Sequence, residues 1–510
     1  MTGKRLYTSI WILFLFVGTS FIIYLPVIDR YFVSDDFNVL YRVCLEHTIF
    51  IKRFFRPLSD ISIYLNYQLG GINPLVFNSF NMLIHGINGW LVYMTCLSLG
   101  QRLEKRKRTG FALISSALFL SYPFHNEAVV WLLGRGASMA CLFSLLSILS
   151  YYNIKKTNWK NTSVCCCYFI SMAAFESTIF FPFIFIFILI FEKENIRSVR
   201  NWATLLMFTF LFHMLLRYQI AGSILGSYGQ DFFHSGVKAY VLNIGKVGGR
   251  LILPPSGNAI IMTVVFIAGV SLSLFLIYKN RQKISQSLPG SMLVSLTGML
   301  LVSCILPVIT SVSTQTSETD RMLYFPSVFL CMITGLLIIS CIKKALYRLP
   351  VLVLLFAYNI FFLEKNNLNW EKASSITFFI LEKINTEKRM RDKGRIYFLN
   401  IPNEVNGAYV FRLGFPDALK LYGFDSSRYI AVNYLPRQDL EKMKSKITVD
   451  PVLPEIPLPP DITLKLDSSG CREIVDHGII KYICSPGDHI FFWNINTLDE
   501  IPACAALHPG

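Results

Sequence analysis

The sequence predicts a polytopic α-helical membrane protein of about eleven spans, followed by a small C-terminal soluble α/β domain. Three observations carry this. Mean hydropathy is +0.48, with 53% hydrophobic and only 16% charged residues, where soluble domains carry about 25% charged. Apolar runs of about 18 residues or more recur through residues 1–363. Between them Lys and Arg gather in every second loop, as alternating spans with basic inner loops require.

Taken in order, spans are expected at 6–28, 74–99, 110–123, 128–152, 163–179, 180–191, 202–220, 258–278, 290–311, 323–342 and 349–363. The first run is too long, and too weakly followed by a small-residue cleavage site, to be a removed signal peptide. The basic groups are Lys4 and Arg5, then Arg102, Lys105, Arg106, Lys107 and Arg108, then Lys155, Lys156 and Lys160. Lys193, Arg197 and Arg200 follow, then Lys279, Arg281 and Lys283, and finally Lys343, Lys344 and Arg348. The net charge of +16 is therefore a topology signal. It is divided among short loops rather than gathered on one face, which argues against nucleic acid as a partner.

An inner N-terminus places Asp35 and Asp36 outside, with the loops near 124–127, 221–257 and 312–322. The odd span count places the tail outside as well. Residues 364–392 read as a charged helical connector and 393–510 as an extracytoplasmic α/β domain. Its strands are expected near 395–400, 408–413, 428–433, 462–466, 478–484 and 489–494, with a Pro-rich turn at 452–460. Cys471 and Cys484 flank a hairpin and could form a disulfide, leaving Cys504 unpaired. Cys165, Cys166 and Cys167 open a helix without metal-ligand spacing, so packing or acylation is their expected use. The pairs Asp476-His477 and Asp488-His489 read as solvent-side polar groups.

Polar residues converge on the outer half of the spans. Asp35 and Asp36 are adjacent carboxylates at the mouth of the first span, where ionisable groups are costly and mark function. Arg56 shares their segment. Asn78, Asn81, His85 and Asn88 recur at three- and four-residue steps, which puts them on one helix face and suggests either a polar cavity or interhelical hydrogen bonds. His125 and Glu127 lie at the next outer turn, with Arg135 beyond. Glu176 sits inside an apolar run, where it must be paired or protonated. Asp320, Arg321 and Tyr324 open the tenth span. Residues 238–250 form an amphipathic segment whose Lys238, Lys246 and Arg250 could meet a lipid phosphate or anionic headgroups.

The order of these motifs resembles the GT-C superfamily of membrane glycosyltransferases. It is most similar to protein O-mannosyltransferases with tetratricopeptide tails. The motifs are the Asp pair, Arg-Pro-Leu at 56–58, Asn81, His85 and Asn88, Tyr-Pro-Phe-His-Asn-Glu at 122–127 leading to Arg135, Ala-Phe-Glu at 174–176, and Asp-Arg-Met-Leu-Tyr at 320–324. The resemblance covers residues 1–345. The chain departs from it in Tyr122 and Asn126, in lacking a lysine that relatives carry beside Glu176, in Ser34 before the acids, and in its tail.

The resemblance implies transfer of mannose or a similar hexose from a polyprenyl-phosphate donor to an acceptor hydroxyl on the outer face, with inversion. The acceptor, a protein, glycan or lipid, needs a carboxylate base. Asp35 is the expected base and Asp36 its orienting partner. Adjacent acids raise one another's pKa, which suits such work near neutral pH. The leaving phosphate needs cations, with Arg321 and Arg56 expected first and Arg135, Arg250 and His125 behind them. No cofactor is required, although Asp35, Asp36 and Glu127 could hold a divalent metal. A bacterial inner membrane is the expected location, with the endoplasmic reticulum membrane as the alternative. The rival reading is a transporter or flippase of a lipid-linked or anionic substrate. It would predict internal repeats and broken midplane helices, and the sequence shows neither.

Overall fold

The computed structural model describes residues 3–50, 54–224, 236–256, 260–264, 266–269, 271, 288–342, 344–388, 392–436, 439, 459, 461–494 and 497–504. Most of the expected span at 258–278, the basic residues Lys279, Arg281, Lys283 and Lys343, and most of the Pro-rich turn at 452–460 lie outside the described residues. The chain divides into two compact units. One holds residues 1–29 and 48–367, and the other residues 30–47 and 368–510.

The first unit is a helical bundle. Its central helix, Pro74–Leu99, starts with Asn73 accepting from the Leu75 N–H at 3.1 Å and with Pro74 in the first turn. Both devices stabilise a helix N-terminus, where backbone donors lack intrahelical partners. Pro74–Leu99 packs against Gly3–Tyr24, Lys105–Leu120 and Arg135–Asn153. Small residues permit close approach, as helices in lipid favour: the Ser20 hydroxyl reaches the Met82 carbonyl at 2.7 Å. Further members are Pro57–Gly70, Thr157–Ala174, Phe181–Phe191, Ile196–Ala221, Leu288–Ser303 and Tyr324–Cys341.

Among the described residues, six helices are long and apolar enough to cross a membrane: Ile10–Val27, Pro74–Leu99, Ile196–Ala221, Pro289–Thr310, Asp320–Cys341 and Leu346–Thr386. The sequence predicts about eleven, and these six are the described helices that meet the length and hydropathy criterion. Lys105–Leu120, Arg135–Asn153 and Thr157–Ala174 form where spans were expected, but they open on basic or polar turns or carry Ser and Asn. Phe181–Phe191 has only 11 residues. The amphipathic segment is a helix, Val237–Arg250, with Lys238 exposed and Arg250 buried. Pro57–Gly70, unforeseen as a helix, starts on Pro57 right after Arg56. The last expected span and the helical connector run on as one continuous helix, Ala345–Thr386. Its charged residues from 364 onward keep the helical period, so polarity changes without any turn residue to end it.

The second unit is built on a four-stranded sheet. Strands β1 (Ile396–Leu399) and β2 (Tyr429–Ala431) are parallel neighbours, and β1 also pairs in parallel with β6 (His489–Asn494), which pairs antiparallel with β7 (Thr497–Pro502). A three-stranded antiparallel sheet is formed by β3 (Ile462–Leu466), β4 (Arg472–Asp476) and β5 (Ile479–Ile483). Alternation along β1 and β6 sends Tyr397, Leu399, Ile490 and Phe492 into a core with Ile462, Leu464, Ile474 and Ile501. Phe398 faces the other way, among Phe415, Tyr429 and Phe491.

Strands β4 and β7 add to the expected set. Cys471 is bonded to Cys504, while Cys484 is free and buried. That overturns the Cys471–Cys484 pairing. The Cys484 N–H donates to the Arg472 carbonyl at 2.9 Å, so within the hairpin Cys484 lies opposite Arg472 and Cys471 is one residue out of register. Strand β7 instead brings Cys504 opposite Cys471.

Candidate active site

Residues 30–47 belong to the unit formed by the tail. The Ser34 N–H donates to the Val410 carbonyl at 2.6 Å, Tyr31 and Tyr422 share a hydroxyl hydrogen bond at 2.8 Å, and Phe37 stacks on Phe411. Gly414 makes this docking possible, because a Cβ there would lie 1.8 Å from the Ser34 carbonyl oxygen. Ser34 adopts a left-handed backbone, φ 49°, a conformation that costs a non-glycine residue about 1 kcal/mol or more. The surrounding contacts hold that turn, and the next two residues are the acids.

Their environments differ. Asp36 is completely buried, and its Oδ2 accepts the Val33 N–H at 3.1 Å. Arg30, also buried, lies within its electrostatic reach and stacks over Trp370 at 5.5 Å. Burial lowers the Arg30 guanidinium to about 10, against which the Asp36 charge pulls upward, so Arg30 stays charged at neutral pH. Asp35 is only partly buried, at the N-cap of Asp36–Val39, with the Ser34 hydroxyl 3.4 Å from its Oδ1.

The other candidate residues lie in the first unit, in three groups. In the first group, Glu127 accepts both the backbone N–H of Arg321, at 2.8 Å, and its guanidinium. Arg321 also covers the Trp131 ring at 5.1 Å, and its side chain keeps 17% exposure. Gly134 shapes the turn beneath Glu127, because a Cβ there would meet the Glu127 carbonyl oxygen at 1.8 Å. Beside this pair, Arg250 donates to both Asp320 oxygens and to the carbonyls of Ser313 and Leu253.

In the second group, Arg135 is completely buried. It donates to Asn81 Oδ1 at 2.8 Å, Ser62 Oγ at 3.2 Å, Asn66 Oδ1 at 2.7 Å and the Phe77 carbonyl at 3.0 Å. The asparagine stripe continues from there. Asn78 donates to the Ile28 carbonyl, and Asn88 donates to the Ser138 carbonyl and to the Tyr324 hydroxyl. His85 Nε2 lies 3.2 Å from the Leu120 carbonyl. A carbonyl can only accept, so that nitrogen carries the proton and Nδ1 accepts from Tyr324 at 2.8 Å. The stripe is thus spent on interhelical hydrogen bonds.

Ser327 gives its proton to the Tyr324 carbonyl, so it accepts from His125 Nε2 at 2.7 Å. Burial, and secondly the neighbouring His85, hold the His125 imidazole well below its ordinary value. That environment disfavours the charged imidazole expected among the phosphate-binding cations. For Arg135 and Arg250, also expected as phosphate-binding cations, every guanidinium nitrogen has a protein acceptor.

The third group centres on Glu176. Its Oε2 takes Arg56 Nε and Nη2 at 3.0 and 2.9 Å, and its Oε1 takes Arg217 Nη2 at 2.7 Å. Arg217 was not foreseen, although a cation inside the apolar run of Ile196–Ala221 is itself a signal. Arg30, Ser62 and Asn66 were missed too, and nothing local distinguishes them from solvent-facing polar residues. In the second unit, His489 is half-buried. It lies between Glu500, at 2.8 Å, and Asp392, at 3.1 Å, and lines a cleft of about 510 Å³ with Asp488, Glu500 and Pro502. Among the described residues no group of three or more His, Cys, Asp or Glu could hold a metal ion.

No family model matches the chain. Curated relatives do. The mouse protein O-mannosyl-transferase TMTC1 is 36% identical over 99 residues, covering 19% of this chain and 10% of that one. The Drosophila melanogaster protein O-mannosyl-transferase Tmtc1 is 38% identical over 96 residues, covering 19% and 10%. The Xenopus laevis protein O-mannosyl-transferase tmtc2 is 34% identical over 131 residues, covering 26% and 15%. The chain is similar to protein O-mannosyl-transferases. The match spans only 10% to 15% of the length of these three relatives. Among solved structures, ArnT from Cupriavidus metallidurans bound to undecaprenyl phosphate aligns with TM-score 0.46 and 10% identity, over 84% of this chain and 90% of that one.

Proposed function

We infer that the protein is an inverting membrane glycosyltransferase. It moves mannose or a similar hexose from a polyprenyl-phosphate donor to an acceptor hydroxyl on the outer face of a membrane. The similarity to protein O-mannosyl-transferases supports the reaction class, and the several apolar helices support a multi-pass setting.

The observation that carries the mechanism is the unequal setting of the two acids. Asp36 is buried on the Val33 N–H beside Arg30, so it is a fixed support. Asp35 is partly exposed and takes the role of base. It accepts the acceptor's hydroxyl proton as the oxygen attacks the anomeric carbon, and the bond from that carbon to the donor phosphate breaks with inversion. A carboxylate held in place by its neighbour loses little in reorganisation during this step. The leaving phosphate needs guanidinium groups that still reach solvent, and Arg321 and Arg56 keep 17% and 22% side-chain exposure. Glu127 holds Arg321 and Glu176 holds Arg56 through the bonds described above, while Asn81, His85, Asn88, Asp320 and Tyr324 support the surrounding helices through Arg135, Arg250 and one another. A protein is the proposed acceptor, by similarity, and the tail domain its docking platform.

The test is release of polyprenyl phosphate from polyprenyl-phosphate-mannose by the purified protein and its Asp35→Asn variant. Loss of turnover with retained donor binding is expected. Undiminished turnover in Asp35→Asn would remove Asp35 as base, and donor binding without turnover in the unaltered protein would favour a flippase.

A further inference from the structure

We propose that the tail domain is a working part of the catalytic centre, with residues 410–417 acting as a strap that positions Asp35. This rests on Asp35 as the base of the glycosyltransferase reading and adds Phe411, Gly414 and Tyr422 as positioning residues. Anchors lie on both sides of Asp35 in the chain, and residues of the tail supply them. Before it, Tyr31 shares a hydroxyl hydrogen bond with Tyr422 at 2.8 Å, and the Ser34 N–H donates to the Val410 carbonyl at 2.6 Å. After it, the Phe37 ring stacks on Phe411 with centroids 6.2 Å apart. Asn38 Nδ2 donates to Asp417 Oδ2 at 2.9 Å, and the Lys420 ammonium covers the Tyr41 ring at 5.5 Å.

The strap is itself fixed. The Val410 and Phe411 N–H groups donate to the carbonyls of Asn403 and Pro402 at 2.8 and 3.2 Å. Phe411 meets Phe415 edge-on at 5.0 Å, and Phe415 meets Phe398 of β1 at 5.1 Å. An aromatic path therefore runs from Phe37 to the four-stranded sheet. At the tightest point Gly414 leaves no room for a side chain. A Cβ there would lie 1.8 Å from the Ser34 carbonyl oxygen and 3.3 Å from the Asp35 nitrogen. Ser34 is held at φ 49°, a conformation that a serine adopts only where its surroundings impose it. Releasing that turn rotates the next residue, which is the base. Misplacing a reacting group by about 1 Å costs about a hundredfold in rate.

The test is sugar transfer by the full-length protein in lipid nanodiscs, with polyprenyl-phosphate-mannose as donor and a pool of Ser/Thr peptides as acceptor. Donor affinity and thermal unfolding are recorded in parallel. Gly414→Ala should lower kcat about tenfold to a hundredfold at unchanged donor affinity. Gly414 acts through Asp35, so Gly414→Ala should cost nothing further in an Asp35→Asn background. Ser34→Val puts a branched residue at a left-handed position and should lower kcat more than Ser34→Gly does. Cys504→Ser controls for general weakening of the tail. It removes the disulfide to Cys471 beside β7 and should leave kcat unchanged. Should Gly414→Ala fail to fold, Tyr422→Phe deletes one hydroxyl and keeps the ring, and a few-fold loss of kcat at unchanged donor affinity is expected.

A lowered unfolding midpoint with undiminished kcat in Gly414→Ala, or in Tyr422→Phe where that variant stands in, would overturn the proposal and leave a structural contact. An equal loss of kcat in Cys504→Ser would overturn it too, because any weakening of the tail would then suffice. So would losses that multiply when Gly414→Ala is combined with Asp35→Asn, since Gly414 would then act on something other than the base. Full turnover in Gly414→Ala with Asp35→Asn inactive would retire the strap alone and keep Asp35 as base. Full turnover in Asp35→Asn would remove the base assignment itself, and the strap with it.

Discussion

Arg250 Nη2 donates to both carboxylate oxygens of Asp320, at 2.5 and 2.6 Å, and both side chains are completely shielded from solvent. An arginine at the end of an amphipathic outer helix looks from sequence like a headgroup ligand. In the folded chain it closes a helix pair instead, and its Nε and Nη1 go to backbone carbonyls.

Arg250→Gln should therefore act on stability. Removing one partner of a buried ion pair strands the other and costs about 3–5 kcal/mol. A lowered thermal unfolding midpoint is expected, with donor affinity of the remaining folded protein unchanged. A selective loss of donor binding at an unchanged midpoint would contradict this.

The two acids should separate by assay. Asp35→Asn is expected to lower kcat by about a hundredfold to ten-thousandfold, the range for losing a general base, with little change in unfolding midpoint. Asp36→Asn should also lower the midpoint, because it neutralises a buried carboxylate beside the buried Arg30 guanidinium. Matching stability losses in both variants would dissolve the distinction between support and base.

Tyr324→Phe tests the asparagine stripe. It deletes the hydroxyl that serves His85 Nδ1 and Asn88 Nδ2, leaving two buried polar groups short of a partner. A loss of about 1–3 kcal/mol per stranded group is expected, read as a shift in denaturation midpoint. His85→Phe combined with Tyr324→Phe should recover part of it, since removing both partners is cheaper than removing one.

The tail offers a covalent prediction. Cys471→Ser and Cys504→Ser should each abolish the same disulfide, seen as loss of a reduction-dependent mobility shift, and Cys484→Ser should abolish none. The bond closes a sequence separation of 33 residues, for which the chain-entropy relation gives about 3–4 kcal/mol. A shift that persists in Cys471→Ser but vanishes in Cys484→Ser would reinstate the hairpin pairing.

Particular residues show where the sequence was legible. Glu176 inside an apolar run demanded a partner, and two arginines supply it. Asn81, His85 and Asn88 announced a shared face through their three- and four-residue steps, and all three are buried on it. What they touch was not legible. Arg135 meets Asn66 across a sequence separation of 69 residues, and no local pattern encodes such a meeting. The same holds for residues 30–47. Their composition suits an outer loop, yet Ser34 and Gly414 place them in the tail's unit.

The division has a physical basis. Hydropathy and loop charge act residue by residue on transfer into a bilayer, so the membrane class and the helical periods follow from the chain alone. The fate of each charge depends on which side chains arrive beside it. Tertiary packing alone decided that Arg250 meets Asp320, that Arg135 meets Asn66, that His125 meets Ser327, that Arg217 joins Glu176, and that Asp36 is fully buried while Asp35 is only partly so. Burial and pairing set the free energy of an ionised group, and both are products of contacts far apart in sequence.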